Sequence, residues 1–207
     1  MPRSQYPLIA FVVLYMIGFT AYAVSRGNNE FIFYAIVMVA LIAGTLVVHR
    51  RSRFSPTVLW LLAVWGLLHM AGGNVPIPAS MALDWTPPAP GARTVLYNFR
   101  PVAWMPKYDQ VTHAFGFFVA TLASFEAIRA AIRGLSPARL QVGIGLALAC
   151  FLVGMGLGAF NEVVEFAATR FMNTNVGGYE NTGWDLVSNM TGAGVAAIGI
   201  YARNRTK

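Results

Sequence analysis

Charge is scarce in this chain: Lys, Arg, Asp and Glu make up 11% of 207 residues, against about a quarter in a soluble domain. A water-facing surface of ordinary size is therefore excluded. Cysteine is almost missing as well. Cys150 stands alone, so no intramolecular disulfide can form, and its place amid apolar residues suits a small packing group. Proline is kept largely out of the apolar blocks, since seven of the eleven lie between Gly72 and Tyr108. That density excludes a long regular helix there and favours extended and turn structure.

What is abundant is hydrophobic sequence, 57% of the residues. It falls in blocks near the roughly 20 residues that cross a bilayer core. Six can be drawn, at about Pro7 to Val24, Phe31 to Val48, Pro56 to Ala71, Asp109 to Ile128, Leu140 to Phe160 and Gly183 to Tyr201. The expectation is an all-α, polytopic membrane helix bundle of about six transmembrane helices. It forms a single integral membrane domain over 1–207 with a Pro-rich outer loop at about 72–108. Arg3 before the first block and Ala21-Tyr22-Ala23 after it mimic a cleaved signal, but a second block follows so closely that a retained hairpin is the better reading.

The formal charge of +7 is a topology signal before it is a nucleic-acid signal. With six spans, ten cations fall on one side: Arg3, Arg50, Arg51, Arg53, Arg129, Arg133, Arg139, Arg203, Arg205 and Lys207. Five fall on the other: Arg26, Arg93, Arg100, Lys107 and Arg170. Both termini are accordingly expected in the cytoplasm, and no nucleic-acid partner is needed. Membrane lipids are the expected surroundings.

With so few polar residues in the blocks, each is conspicuous. His69 closes the third block, and Asp109 and His113 share a helical face at the start of the fourth. Glu162 and Glu165 follow Gly154-x3-Gly158 in the fifth, and Asp185 and Asn189 share a face where the sixth begins. All fall at outer-side helix ends, so segments three to six are expected to converge around an outward-facing polar pocket, with segments one and two peripheral. Glu126 sits near the cytoplasmic rim and reads as a local partner of Arg129. With no polar path continuing inward, transport is the least favoured reading.

Two imidazoles and several carboxylates suit a divalent metal such as zinc, manganese or iron. His69, Asp109, His113, Glu162 and Asp185 are the candidate ligands. Glu162, Glu165 or Asp185 would be the general base to a metal-bound water, in a hydrolase acting on a lipid or cell-envelope precursor. Asn189, Trp184 and Arg100 are candidate supporting residues. Arg100 and Lys107 lie in an aromatic-rich stretch that reads first as an interfacial belt with snorkelling cations. The same set is open to a different reading, a structural hydrogen-bond network in a non-catalytic protein that binds an envelope lipid or other ligand.

The order Asp-x3-His (Asp109, His113), Glu-x2-Glu (Glu162, Glu165) and Asp-x3-Asn-x2-Gly (Asp185, Asn189, Gly192) resembles the VanZ-like membrane family, which usually has Gln where Glu165 stands. A closer resemblance is to the YjdF-like inner-membrane family. It rests on His69 to Gly73, Tyr108 to His113, the two glutamates and Trp184 to Ala193. That resemblance implies a multi-pass bacterial plasma-membrane protein and no particular reaction.

Overall fold

The computed structural model describes residues 5–84, 93–135 and 142–204. Arg3, Arg139, Arg205 and Lys207 from the cation count, and Leu140 at the expected start of the fifth segment, lie outside the described residues. Six α-helices make up the bundle: α1 Tyr6–Ser25, α2 Asn29–Ser52, α3 Pro56–Asn74, α4 Tyr108–Leu135, α5 Ile144–Thr169 and α6 Tyr179–Asn204. Among the described residues, α1 to α5 are long and apolar enough to cross a membrane. The architecture is the expected all-α polytopic membrane bundle. Its exposed side chains include Leu14, Ile17, Ile36, Phe160, Val163 and Ile198, the surface that meets lipid.

Local chemistry sets the helix ends. Asn28 caps α2 by accepting the Phe31 N–H at 3.3 Å, and its amide donates to the Gly73 carbonyl at 3.0 Å, fastening the start of α2 to the end of α3. Ser55 caps α3 with Pro56 at its first position, where the missing N–H costs nothing. Glu126 is not occupied as a local partner of Arg129. It accepts the Ser55 N–H at 2.8 Å, across to the start of α3. At the other end of the same pair, the Tyr108 hydroxyl donates to the Leu68 carbonyl at 3.1 Å.

The helix that is too polar to stand out as a span, α6, packs against both α4 and α5. Its buried stripe of Asp185, Asn189, Gly192, Ala193, Ala196, Ala197 and Ile200 repeats every three or four residues, a small-residue seam that lets backbones approach. At Gly192 the approach is closest, and a Cβ there would overlap the Ala114 carbonyl of α4. Gly158 of α5 makes room for the Asn189 side chain, which explains one of the two glycines of the Gly154-x3-Gly158 spacing.

Segments three to six do converge at one end, but segment two is not peripheral there. Its first turn carries Glu30 inward, where the carboxylate accepts the Asn175 N–H and Nδ2–H, each at 3.0 Å, and so docks the α5–α6 connection on α2. The 75–107 connection contributes two short 3-10 turns, Ala79–Met81 and Leu96–Asn98, joined by a Pro76–Val95 antiparallel bridge.

Candidate metal centre

Three helices bring polar groups to a common depth. His113 is five residues into α4, Asp185 six into α6 and Glu162 seven from the end of α5. At about 1.5 Å per residue, all lie roughly 8 to 10 Å below the same end of the bundle. Glu165, one turn further on, shares the Glu162 face. One ligand atom from each of His113, Glu162, Glu165 and Asp185 lies within 4.8 Å of the others, so the four form a set able to hold a divalent cation. Tetrahedral zinc has ligand-to-ligand edges of about 3.4 Å, so side-chain adjustments of roughly 1 Å would close the set.

The imidazole of His113 is flanked on both edges. Its Nδ1 lies 3.0 Å from Asn189 Oδ1 and 3.5 Å from Glu162 Oε1. Its Nε2 lies 3.6 Å from Asp109 Oδ1 and 3.7 Å from Glu165 Oε1. With Asn189 Oδ1 as its acceptor Nδ1 carries a proton, and in the neutral ring Nε2 then presents a lone pair to two carboxylate oxygens. Three acceptors converge there, and only a proton or a cation reconciles them. Histidines that bind metals hold their second nitrogen in the same manner.

Amides one helical turn away orient two of the acids. Asn161 Nδ2 donates to Glu165 Oε1 at 2.7 Å, and Asn181 Nδ2 donates to Asp185 Oδ2 at 2.5 Å. Asp185 Oδ1 and both oxygens of Glu162 are buried without a well-formed hydrogen bond, the Asn189 amide being the donor beside Glu162. A buried carboxylate left this way is costly unless it is neutralised, so these atoms fit the donor set of a bound cation.

The pocket expected to face outward is in fact interior. Asp185 and Asn189 are 0% exposed, His113 7% and Glu162 8%. Helical spacing could set the depth of these groups but not what covers them. The cover is the Asn175 segment held by Glu30, together with a bridge from Lys107 Nζ to Asn181 Oδ1 at 2.8 Å. A mostly buried cluster is not the outward-facing site expected, and that part of the sequence reading is withdrawn.

The other expected residues are distributed around this core. Asp109 borders the Nε2 edge of His113 and a cavity of about 30 Å³ shared with Glu30, Tyr34, His69, Tyr97 and Glu165. His69 is outside the set of four. It is stacked on Trp65, ringed by Phe31 and Tyr34, and 2.5 Å from the Tyr97 hydroxyl through Nδ1. Burial pushes the Tyr97 phenol well above its usual range, so it keeps its proton and occupies the His69 Nδ1 lone pair. Gly72 and Gly73 make room for the Tyr97 and Phe31 rings, which accounts for the glycines after His69. Arg100 and Trp184 stand apart from the cation-binding set and line a cleft of about 1040 Å³ on the other side of α4 and α6.

Sequence reasoning missed Asn161, Asn181, Glu30 and Tyr97. The first two carried a readable signal, since each lies four residues before an acid, as Asp109 lies four before His113. Glu30 binds a residue 145 positions away, and Tyr97 finds His69 across a loop, so neither was accessible to spacing.

Fold and site together define a multi-pass α-helical membrane protein with a buried imidazole and carboxylate cluster. Residues 7–206 match the family described as Predicted membrane protein (DUF2238), and the chain belongs to it. No comparison links the chain to the YjdF-like or VanZ-like families, and that assignment is corrected accordingly. Short acid, histidine and amide spacings arise wherever polar groups share a helical face, so they overstate kinship. No curated protein and no solved structure matches the chain.

Proposed function

We propose that the chain is a membrane-embedded metalloprotein that retains one divalent cation between α4, α5 and α6. His113 Nε2, Glu162, Glu165 and Asp185 are the ligands in this reading, Asn189 orients the imidazole, and Asp109 flanks it. Nitrogen and carboxylate donors favour zinc, manganese or iron over the all-oxygen preference of magnesium or calcium. The single observation that carries the proposal is the convergence of one imidazole nitrogen and three buried or half-buried carboxylates, with one ligand atom of each within 4.8 Å of the others. Three ligand carboxylates and one neutral imidazole around a divalent cation leave a net charge of −1. That is far easier to bury than three free carboxylates.

The surrounding reading is a single membrane domain with both termini in the cytoplasm and the 72–108 loop outside, supported by the ten-to-five cation split. The partner class is the amphiphiles of the bilayer, which meet the exposed apolar faces of α5 and α6 directly.

Elemental analysis of protein purified in detergent without metal-affinity steps tests the centre. Close to one transition-metal ion per chain is expected, falling to near zero in His113→Ala and in His113→Gln, since an amide replaces imidazole nitrogen poorly. One observation favours a metal-free alternative: Asn189 Nδ2 is also buried without an acceptor, beside the undonated Glu162. An imidazolium at His113 with that amide turned to Glu162 would satisfy the cluster by hydrogen bonds alone. Metal-free wild-type protein that melts at the same temperature with and without chelator would establish this alternative and end the metal reading.

A further inference from the structure

The cleft of about 1040 Å³ beside α4 and α6 contains none of the four cation-binding residues, borders their site through Lys107 and Asn181, and has two chemically different ends. Its floor is apolar, lined by Val111 and Ala114 of α4 and by Trp184, Val187 and Thr191 of α6. From Glu180 to Thr191 it follows α6 for about 16 Å. Its rim is charged, with Arg100 and Lys107 facing a space also bordered by Asp84 and Glu180.

The two cations have donors to spare. Arg100 Nη1 serves Asp84 Oδ2 at 3.1 Å and the Ala103 carbonyl at 3.0 Å and its Nε is buried away from the cleft, which leaves the Nη2 donors. Lys107 commits one of its three hydrogens to Asn181 Oδ1. Phosphate oxygens are the acceptors that best match a guanidinium and an ammonium with free donors. Asp84, paired with Arg100 at 3.1 Å, and Glu180 balance the two cations on the same rim, so the complement is a zwitterion and not a simple anion. Trp104, 84% exposed, and Trp184, 54% exposed, sit at the same cleft as amphipathic rings that prefer the headgroup level.

We propose that this cleft holds one membrane glycerophospholipid with a zwitterionic phosphate and primary-ammonium headgroup. The phosphate lies on Arg100 and Lys107, the ammonium on Asp84 and Glu180, and an acyl chain runs down the α4–α6 groove. The proposal rests on the placement of the chain in a bilayer and not on the cation centre.

The test uses full-length protein in mild detergent. Lipid extraction with mass spectrometry measures what is retained, and thermal unfolding is followed with added phosphatidylethanolamine, phosphatidylglycerol or inorganic phosphate. One phosphatidylethanolamine per chain is expected, with a rise in melting temperature that phosphate alone does not reproduce and phosphatidylglycerol reproduces only weakly. Arg100→Gln with Lys107→Gln should abolish both retention and shift. Val187→Trp fills the floor while leaving the charged rim intact, and should do the same if the double variant fails to fold. Equal retention in Val187→Trp and wild type overturns the proposal. So does a shift from phosphatidylglycerol, or from phosphate, as large as that from phosphatidylethanolamine. Metal content measured on wild type with and without lipid, and on Val187→Trp, is expected to be unchanged, which separates failure here from failure of the cation centre; Lys107→Gln is left out of that comparison because Lys107 also holds Asn181.

Discussion

Asn189 Oδ1 lies 3.0 Å from His113 Nδ1, so an amide on α6 decides which nitrogen of an imidazole on α4 is left to bind. Asn189→Leu removes that acceptor and frees the ring to adopt the other tautomer. Losing such an orienting partner typically weakens metal binding on the order of 10- to 100-fold. Competition with a chromophoric chelator should register that loss, while Asn189→Asp, which keeps an acceptor, should bind more tightly than the leucine variant.

Gly192 and Gly199 provide a matched pair on α6. A Cβ at Gly192 meets the Ala114 backbone, which cannot rotate away, whereas one at Gly199 meets nothing within 4 Å. Gly192→Ala should destabilise the bundle by about 1–3 kcal/mol, as overpacking does. Gly199→Ala should be neutral or slightly stabilising through helix propensity. Thermal unfolding in one detergent compares them, and equal melting temperatures would refute the close approach of α4 and α6.

Tyr97→Phe keeps the ring that fills the space beside Gly72 but removes the donor to His69 Nδ1. A buried acceptor left without its partner costs about 1–3 kcal/mol. The expected result is a lower melting temperature with metal stoichiometry unchanged, because His69 is outside the set of four. Loss of the metal in this variant would return His69 to the ligand set.

Glu30→Ala removes both acceptors that hold Asn175. Hydrogen exchange over 174–178 should quicken by an order of magnitude or more, since each lost buried hydrogen bond is worth about 1 kcal/mol of protection. Exchange unchanged from wild type would mean that this segment is held by something else.

Topology is measured by reporter fusions after Arg53 and after Lys207, both expected to report the cytoplasm. Periplasmic activity from both would invert the assignment of sides, and from the Lys207 fusion alone would mean that α6 does not cross; either outcome sinks this topology and leaves the buried centre where it is.

How much of this was legible depended on the range of each interaction. Asp109 and His113 are in contact over one helical turn, and Asp185 and Asn189 share a buried face one turn apart, so both faces could be read from spacing. The convergence of α4, α5 and α6 was legible from the common level of their polar residues, because each would be expensive in lipid alone. The enclosure of the site was not. It depends on Glu30 reaching Asn175 and on Lys107 reaching Asn181, pairings made by loop conformation and not by period. His69 was at the right depth but was claimed by Tyr97 and an aromatic box, a choice that hydropathy does not encode.

Helix α3 is fastened to α4 twice, by Glu126 on the Ser55 N–H at one end and by Tyr108 on the Leu68 carbonyl at the other. Neither sliding nor twisting of that pair is free, since either breaks a bond at one end or both. Helix α5 is held differently, through glycine contacts and through acids that face His113 at 3.5 Å or more. Helix α5 is thus seated by shape, Gly154 against Thr121 of α4 and Gly158 against Asn189 of α6. Gly154→Ala or Gly158→Ala, which would push these helices apart, is expected to speed the exchange of a bound cation.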